Sequence, residues 1–194
     1  MQPKNWPEGF VYTRQRFSRD IHPFFLSRLF LSEKPEDIQK KSSLVEQNRV
    51  HPYLEIQILK EPHPLALQKN HGKSHLQRGV FATEDLLDKI ALGVYAGELF
   101  FQDTMVLKKD VSMYLWDFSV LGNHFLIDAS RYANELAFVN DFRGIANQPN
   151  VSHTLLCHEG VFYFGYQTIA RVNKGEELLI DYGEKYWVSI EKFK

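Results

Sequence analysis

Short apolar runs separated by polar turns dominate the chain from residue 53 onward. The runs are rich in β-branched and aromatic residues and end at glycine, proline or charged clusters, which is typical of β-strands. A short helix is predicted over 130–138. Strands and helices do not alternate, which argues against a parallel doubly wound sheet. The predicted strands are 53–59, 79–82, 91–101, 112–118, 125–128, 154–156, 161–166 and 177–180.

The first 50 residues differ in character from the rest. An apolar patch at 23–31 is followed by Ser32, which can cap a helix over 35–45. We therefore expect a partly helical N-terminal extension over 1–50 and a main domain over 51–194. The extension either packs on the main domain or serves as a partner-binding arm.

Composition narrows the class of protein. The 194 residues are 44% hydrophobic, enough for one core, and the formal net charge of −1 argues against phosphate-driven nucleic-acid binding. Cys157 is the single cysteine, which excludes an intramolecular disulfide and a cysteine-rich zinc cluster. No run approaches the ~20 apolar residues that span a bilayer, and the N-terminus lacks a signal pattern. We expect a soluble intracellular protein, cytoplasmic or nuclear.

Two weaker constellations do not change this picture. His71 and His75 have the spacing of metal ligands, but Gly72 places them in a predicted loop without a completing ligand set, so no metal site is predicted. Cys157 and His158 flank a strand end, where a Cys–His nucleophilic pair is not favoured over a structural role.

Four segments, in order, carry a distinctive pattern. They are Gly-Val-Phe-Ala at 79–82, Tyr-Ala-Gly-Glu at 95–98, Phe-Val-Asn at 138–140 with a later Pro-Asn at 149–150, and Gly-Glu-Glu-Leu at 175–178 leading to Asp-Tyr-Gly at 181–183. Together they resemble the SET-domain protein-lysine methyltransferases over residues 70–187. The resemblance implies a β-dominated α+β fold of short curved antiparallel sheets, with the C-terminal segment threaded through the third one. It also implies S-adenosylmethionine as methyl donor and a lysine side chain as acceptor.

The sequence departs from the family pattern in the first and third segments. Gln77 stands where a second glycine is usual, Ala137 replaces an arginine, and Asp141 replaces a histidine. The zinc-binding cysteines that follow many SET domains are absent, which is similar to minimal SET proteins of bacteria and viruses. That similarity implies, as an alternative location, a secreted effector acting in a host nucleus.

The resemblance assigns roles to particular residues. Tyr182 and Tyr95 correspond to the active-site tyrosines, whose rings can wall a lysine channel while their hydroxyls bond the amine. Ile180 stands where the family controls how many methyl groups fit. Because isoleucine has no hydroxyl to hold a water, we expect di- or trimethylation. The expected donor-binding residues are Gln77, Arg78, Tyr114, Asn140, Asp141, Tyr186 and Trp187.

The resemblance further implies a protein substrate with an exposed lysine, a histone tail being the first candidate. Such a segment would bind as an added strand, with Asp103, Asp110 and Glu184 attracting its positive flanks. The departures at Ala137 and Asp141 motivate a different reading, an inactive SET-like interaction module. A β-rich domain unrelated to methyl transfer is a third alternative.

Overall fold

A computed structural model describes residues 2–13, 16–17, 50–66, 76–101, 112–120, 123–158 and 161–191. The predicted N-terminal helix and the pairs His71–His75 and Asp103–Asp110 lie outside these residues. The strands are β1 Val11–Tyr12, β2 Arg16–Phe17, β3 Leu54–Ile58, β4 Arg78–Ala82, β5 Ala91–Val94, β6 Glu98–Phe101, β7 Leu115–Val120, β8 Asn123–Asp128, β9 Tyr132–Ala133, β10 Asn140–Asp141, β11 Val151–His158, β12 Val161–Thr168 and β13 Leu179–Ile180. A 3₁₀ helix covers Glu135–Phe138 and α1 covers Glu184–Glu191.

Five small sheets form among the described residues. The largest has the strand order β2-β6-β8-β7, and the next is β11-β12-β5. β3 pairs with β4 antiparallel, whereas β1 with β9 and β10 with β13 are short parallel pairs. The predicted strand-rich fold is confirmed, with little helix and no helix among the described residues long and apolar enough to cross a membrane.

The predicted threading of the C-terminal segment is visible around β13. On one side, β13 pairs with β10, and the N–H of Phe142 donates to the Ile180 carbonyl at 3.0 Å. On the other side, Asn150 bonds both backbone groups of Leu179, its side-chain Oδ1 accepting at 2.8 Å and its N–H donating at 3.0 Å. The two ends of loop 142–150 therefore hold β13 between them.

The region predicted as one strand over 91–101 is two strands, β5 and β6. The chain bends at Gly97, where a Cβ would lie 2.7 Å from the Asp128 carbonyl oxygen. Since only glycine permits this approach, the side-chain-free position lets β6 pair with β8 in a different sheet from β5.

The helix predicted over 130–138 is shorter in the structure. Its first part forms β9, which pairs with β1 from the N-terminal region. Asn134, in extended conformation, then caps the 3₁₀ helix by accepting from the Leu136 N–H at 3.3 Å. A partner distant in sequence thus overrides a local helical pattern.

The described part of residues 1–50 packs on the main domain. Trp6 and Phe10 lie against the core through edge-on contacts with Phe138, both with centroids 5.4 Å apart. The boundary expected at residue 50 stays a prediction.

Candidate functional site

Tyr182 lies just after β13 and is held from two directions. Its phenol donates to the Val139 carbonyl at 2.8 Å, and its backbone N–H donates to Asp141 Oδ2 at 2.7 Å. Burial raises the pKa of the phenol well above its ordinary value, with the nearby Tyr186 as the next cause. The hydroxyl is therefore neutral at physiological pH and remains a hydrogen-bond donor.

Tyr95 follows β5 and is 2% exposed. Its phenol donates to the Tyr114 carbonyl at 3.0 Å. Burial raises the pKa of Tyr95 well above its ordinary value, and the next contribution comes from Tyr182. The effect of Tyr182 on Tyr95 indicates that the two expected active-site phenols share one region of the molecule.

Two aromatic residues that sequence reasoning missed connect these tyrosines. Trp116 packs edge-on against Tyr182 with ring centroids 6.1 Å apart, and contacts Tyr166 at the same separation. Tyr166 in turn lies 5.4 Å from the Tyr95 ring. The four rings form a continuous aromatic cluster, which we name the aromatic channel wall after the lysine channel that the sequence predicts there. Nothing local marks Trp116 or Tyr166, since each is one aromatic among many in a strand.

Asn140, expected at the donor site, is held by two hydrogen-bond acceptors. Its Nδ2 donates to the Arg78 carbonyl at 2.9 Å and to Glu177 Oε1 at 2.8 Å. Because both partners only accept, the amide orientation is fixed. Its Oδ1 has no hydrogen bond within the described part of the chain, so it is the group left to accept from a ligand.

Glu177, another residue that sequence reasoning missed, lies beneath this site and is 8% exposed. Its second oxygen, Oε2, lies 2.8 Å from His63 Nε2. The carboxylate rests on Gly79, where a Cβ would overlap Oε1. A side chain at this glycine of the first segment would therefore displace the buried carboxylate above it.

Asp141 makes several hydrogen bonds through its side-chain carboxylate. Its carboxylate, on a residue 6% exposed, accepts from the Tyr182 N–H and from Arg143 Nη1 at 2.9 Å. The Trp187 indole N–H also points to Oδ2, at 3.4 Å. Arg143 continues to Asp181 at 2.7 Å, and this guanidinium lowers the pKa of Asp181. The residue that departs from the family pattern thus organises the chain around Tyr182.

The other residues expected at the donor site are held by contacts of their own. Burial raises the pKa of Tyr114, whose ring packs on Phe10 at 5.4 Å. Burial lowers the pKa of Arg78, whose Nε donates to the Asn5 carbonyl at 2.9 Å. The Gln77 carbonyl accepts from the Leu59 N–H, which anchors the start of β4.

The C-terminal aromatics and Ile180 complete the set. Tyr186 and Trp187 lie on α1, which the sequence analysis did not predict, and their rings meet edge-on at 5.4 Å. Tyr186 also packs on Tyr182 at 4.7 Å. Ile180 is 1% exposed, two residues before Tyr182. The structure therefore brings α1 and the end of β13 together beside the aromatic channel wall.

A groove of about 360 Å³ adjoins the aromatic channel wall. It lies between β7 and β11, which are edge strands of their sheets among the described residues. Trp116, which packs against Tyr182, also contacts His153 of the groove, with ring centroids 6.2 Å apart. Asp117, whose side chain is 52% exposed, supplies a negative charge there.

A family model for the SET domain matches residues 77–183, more than half of the chain. The chain belongs to the SET-domain family. Among solved structures, it is similar to ATXR5 in complex with histone H3.1 mono-methylated on R26, with 13% identity, a TM-score of 0.61, and coverage of 91% of this chain and 82% of that one.

A second similar structure is a humanized mutant of the Chaetomium thermophilum Polycomb Repressive Complex 2 bound to the inhibitor GSK343. The identity is 17%, the TM-score is 0.52, and the match covers 76% of this chain and 17% of that one. At these identities the likeness establishes the fold. Among curated proteins, none matches the chain in sequence.

Proposed function

We propose that this SET-domain chain is a protein-lysine methyltransferase that uses S-adenosylmethionine. The observation that carries the proposal is that the Tyr182 hydroxyl binds the residue directly before Asn140. Val139 accepts from the Tyr182 hydroxyl at 2.8 Å, and the next residue is Asn140, whose Oδ1 accepts no hydrogen bond from any residue that the structure describes. The acceptor lysine and the donor would therefore meet at adjacent groups.

The donor site fits S-adenosylmethionine by the chemistry of its residues. Asn140 Oδ1 is an acceptor for the ammonium of the methionine part, and Tyr186 and Trp187 present rings on which an adenine can stack. Gln77 and Arg78 would contribute main-chain contacts, and Tyr114 an apolar wall. When bound, the donor supplies a methyl group on a sulfonium, which an amine attacks in line.

The residues of the chain would prepare the amine for that attack. A free lysine has a pKa of about 10.4 and must lose its proton to become a nucleophile. The aromatic channel wall excludes water and so disfavours the charged ammonium. The neutral Tyr182 hydroxyl donates to the Val139 carbonyl, and the neutral Tyr95 hydroxyl donates to the Tyr114 carbonyl. These bonds hold the two carbonyl oxygens in place at the end of the wall, where the carbonyl oxygens would align the amine.

For the substrate we propose an extended basic segment of a protein, with a histone tail as first candidate. The similar ATXR5 structure holds histone H3.1, and the groove between β7 and β11 offers two strand edges with Asp117 as an acidic contact. Glu184 is exposed at the start of α1 and would add negative charge. A nuclear location would follow from such a substrate, and the secreted effector stays an alternative proposal.

An inactive SET-like interaction module is the second candidate function. It is favoured by Trp187, whose indole N–H is already turned to Asp141, and by Ala137, which is buried where the family carries an arginine. Calorimetry with S-adenosylmethionine separates the two candidates, because an inactive module would not bind the donor.

The proposed function is tested with radiolabelled donor, purified histones and a cell lysate. We expect label on a protein band with the wild-type chain and strongly reduced label with Tyr182→Phe. Undiminished label in the variant would remove Tyr182 from its proposed role. No label in any mixture, together with no donor binding, would leave the interaction module as the better account.

A further inference from the structure

We infer that His63 is a positioning residue for the donor site, acting on Asn140 through the carboxylate of Glu177. This inference rests on the proposed function. His63 precedes residues 77–183, which match the SET-domain model. The loop that carries His63 therefore contributes a residue from outside the matched region to the donor site. The loop is held to β4 by the hydrogen bond from the Leu59 N–H to the Gln77 carbonyl at 2.9 Å.

The hydrogen bonds of His63 fix its tautomer. The backbone N–H of Leu65 donates to His63 Nδ1 at 3.1 Å, so Nδ1 carries no proton. The proton of the neutral ring is therefore on Nε2, which donates to Glu177 Oε2 at 2.8 Å. The ring therefore accepts a hydrogen bond from its own loop through Nδ1 and donates one to the Glu177 carboxylate through Nε2.

Glu177 transmits this orientation to Asn140. A carboxylate on a residue 8% exposed needs a donor at each oxygen, because leaving one unpaired costs its desolvation. His63 supplies the donor for Oε2, and Asn140 supplies the donor for Oε1. With both oxygens bonded, the Glu177 carboxylate keeps the orientation in which Oε1 accepts from the Asn140 amide.

The consequence for Asn140 concerns which atom faces the ligand. While Glu177 Oε1 and the Arg78 carbonyl both accept from Nδ2, the amide presents Oδ1 outward. If His63 no longer holds the carboxylate, Glu177 can turn towards water and the amide can rotate to present its NH₂ group. An NH₂ group repels the ammonium that Oδ1 would bind.

The test measures donor affinity by calorimetry for the full chain and for variants at His63 and Asn140. We expect His63→Ala to weaken S-adenosylmethionine binding about tenfold, comparable to the loss of an orienting partner at other sites. His63→Gln keeps an N–H at the position of Nε2, so it should restore affinity to within about threefold of wild type. In an Asn140→Ala background, His63→Ala should weaken binding no further.

His51→Ala is the matched control. His51 Nδ1 accepts from the Tyr53 N–H two residues ahead at 3.4 Å, as His63 does from Leu65, but no carboxylate contact of His51 occurs among the described residues. It should leave donor affinity unchanged, and melting temperatures recorded alongside show that each variant is folded.

Unchanged affinity in His63→Ala, no rescue by His63→Gln, or additive losses in the double variant would overturn the positioning role while leaving the proposed function intact. Absence of donor binding by the wild-type chain would instead overturn the proposed function itself.

Discussion

The carboxylate of Asp141 accepts a hydrogen bond of 2.7 Å from the backbone N–H of Tyr182. This bond joins β10 to the second residue after its parallel partner β13. It continues the register of the pair beyond the last strand residue, using a side chain in place of a carbonyl. The family usually carries histidine at this position, so the aspartate is a local solution of this chain for fixing the catalytic tyrosine of the proposed function.

Removing that carboxylate should destabilise the protein. Asp141→Ala leaves the Tyr182 N–H, the Trp187 indole N–H and Arg143 Nη1 without the acceptor that Asp141 provides. We therefore expect the free energy of unfolding to fall by about 2–4 kcal/mol. Urea unfolding followed by tryptophan fluorescence measures this loss.

Asp181→Ala is the control for this prediction. Asp181 binds the same guanidinium, but its side chain is 48% exposed, so its loss should cost at most about 1 kcal/mol. Equal losses in the two variants would show that the buried position of Asp141 carries no special weight.

The Tyr182 hydroxyl should matter more for turnover than for stability. Tyr182→Phe removes one hydrogen bond to the Val139 carbonyl, which we expect to cost about 1 kcal/mol of unfolding free energy. Methyl transfer should fall by about 100-fold, as when one oriented donor is removed from an active site. Single-turnover transfer of labelled methyl measures the rate. Tyr53→Phe, at a phenol on a residue 47% exposed, should leave both quantities unchanged.

Sequence reasoning reached the fold and the residues that local motifs mark. Tyr182, Tyr95 and Asn140 stand in short segments whose order along the chain is itself a signal, and most predicted strands coincide with observed ones. The roles assigned to these residues stay predictions.

The residues that contact them could not be predicted from the sequence. His63 and Glu177 are 114 residues apart, and no spacing rule connects them. Trp116 and Tyr166 lie in ordinary strand patterns, and their meeting depends on how separate sheets pack. α1 was not predicted because it is only eight residues long.

Alkaline pH should reveal three late-titrating phenols. Burial raises the folded-state pKa of Tyr95, Tyr166 and Tyr182 well above the value of about 10 that tyrosine has when unfolded. The folded state therefore holds these protons more tightly. Their contribution to stability is complete below about pH 10 and is lost as the pH rises through the folded-state values.

Absorbance at 295 nm during a pH titration measures this effect. The three phenols should ionise only as the protein unfolds above about pH 10, whereas Tyr182→Phe should reduce the amplitude of that late phase by one tyrosine. A late phase unchanged by the substitution would contradict the burial assigned to Tyr182.

A methyl group at Gly79 should damage the donor site through Glu177. Because its Cβ would overlap Glu177 Oε1, Gly79→Ala must displace the carboxylate that orients Asn140. We expect a stability loss of about 1–3 kcal/mol and clearly weaker donor binding in calorimetry. Gly9→Ala is the control, since Gly9 has φ +87° with open space around it and should lose only about 1 kcal/mol from backbone strain. A Gly79→Ala variant with wild-type donor affinity would contradict the proposed link.

The identity of residue 180 should set the number of methyl groups transferred. Ile180 is 1% exposed and offers no hydroxyl to hold a water beside the amine, so the wild-type chain should form di- or trimethyllysine. Ile180→Thr keeps the branched shape and adds a hydroxyl, which should shift the product towards monomethyllysine. Ile127→Thr makes the same change at a fully buried position of β8 and controls for lost stability. Mass spectrometry after long incubation measures the distribution, and a wild-type product that stays monomethylated would refute the assignment.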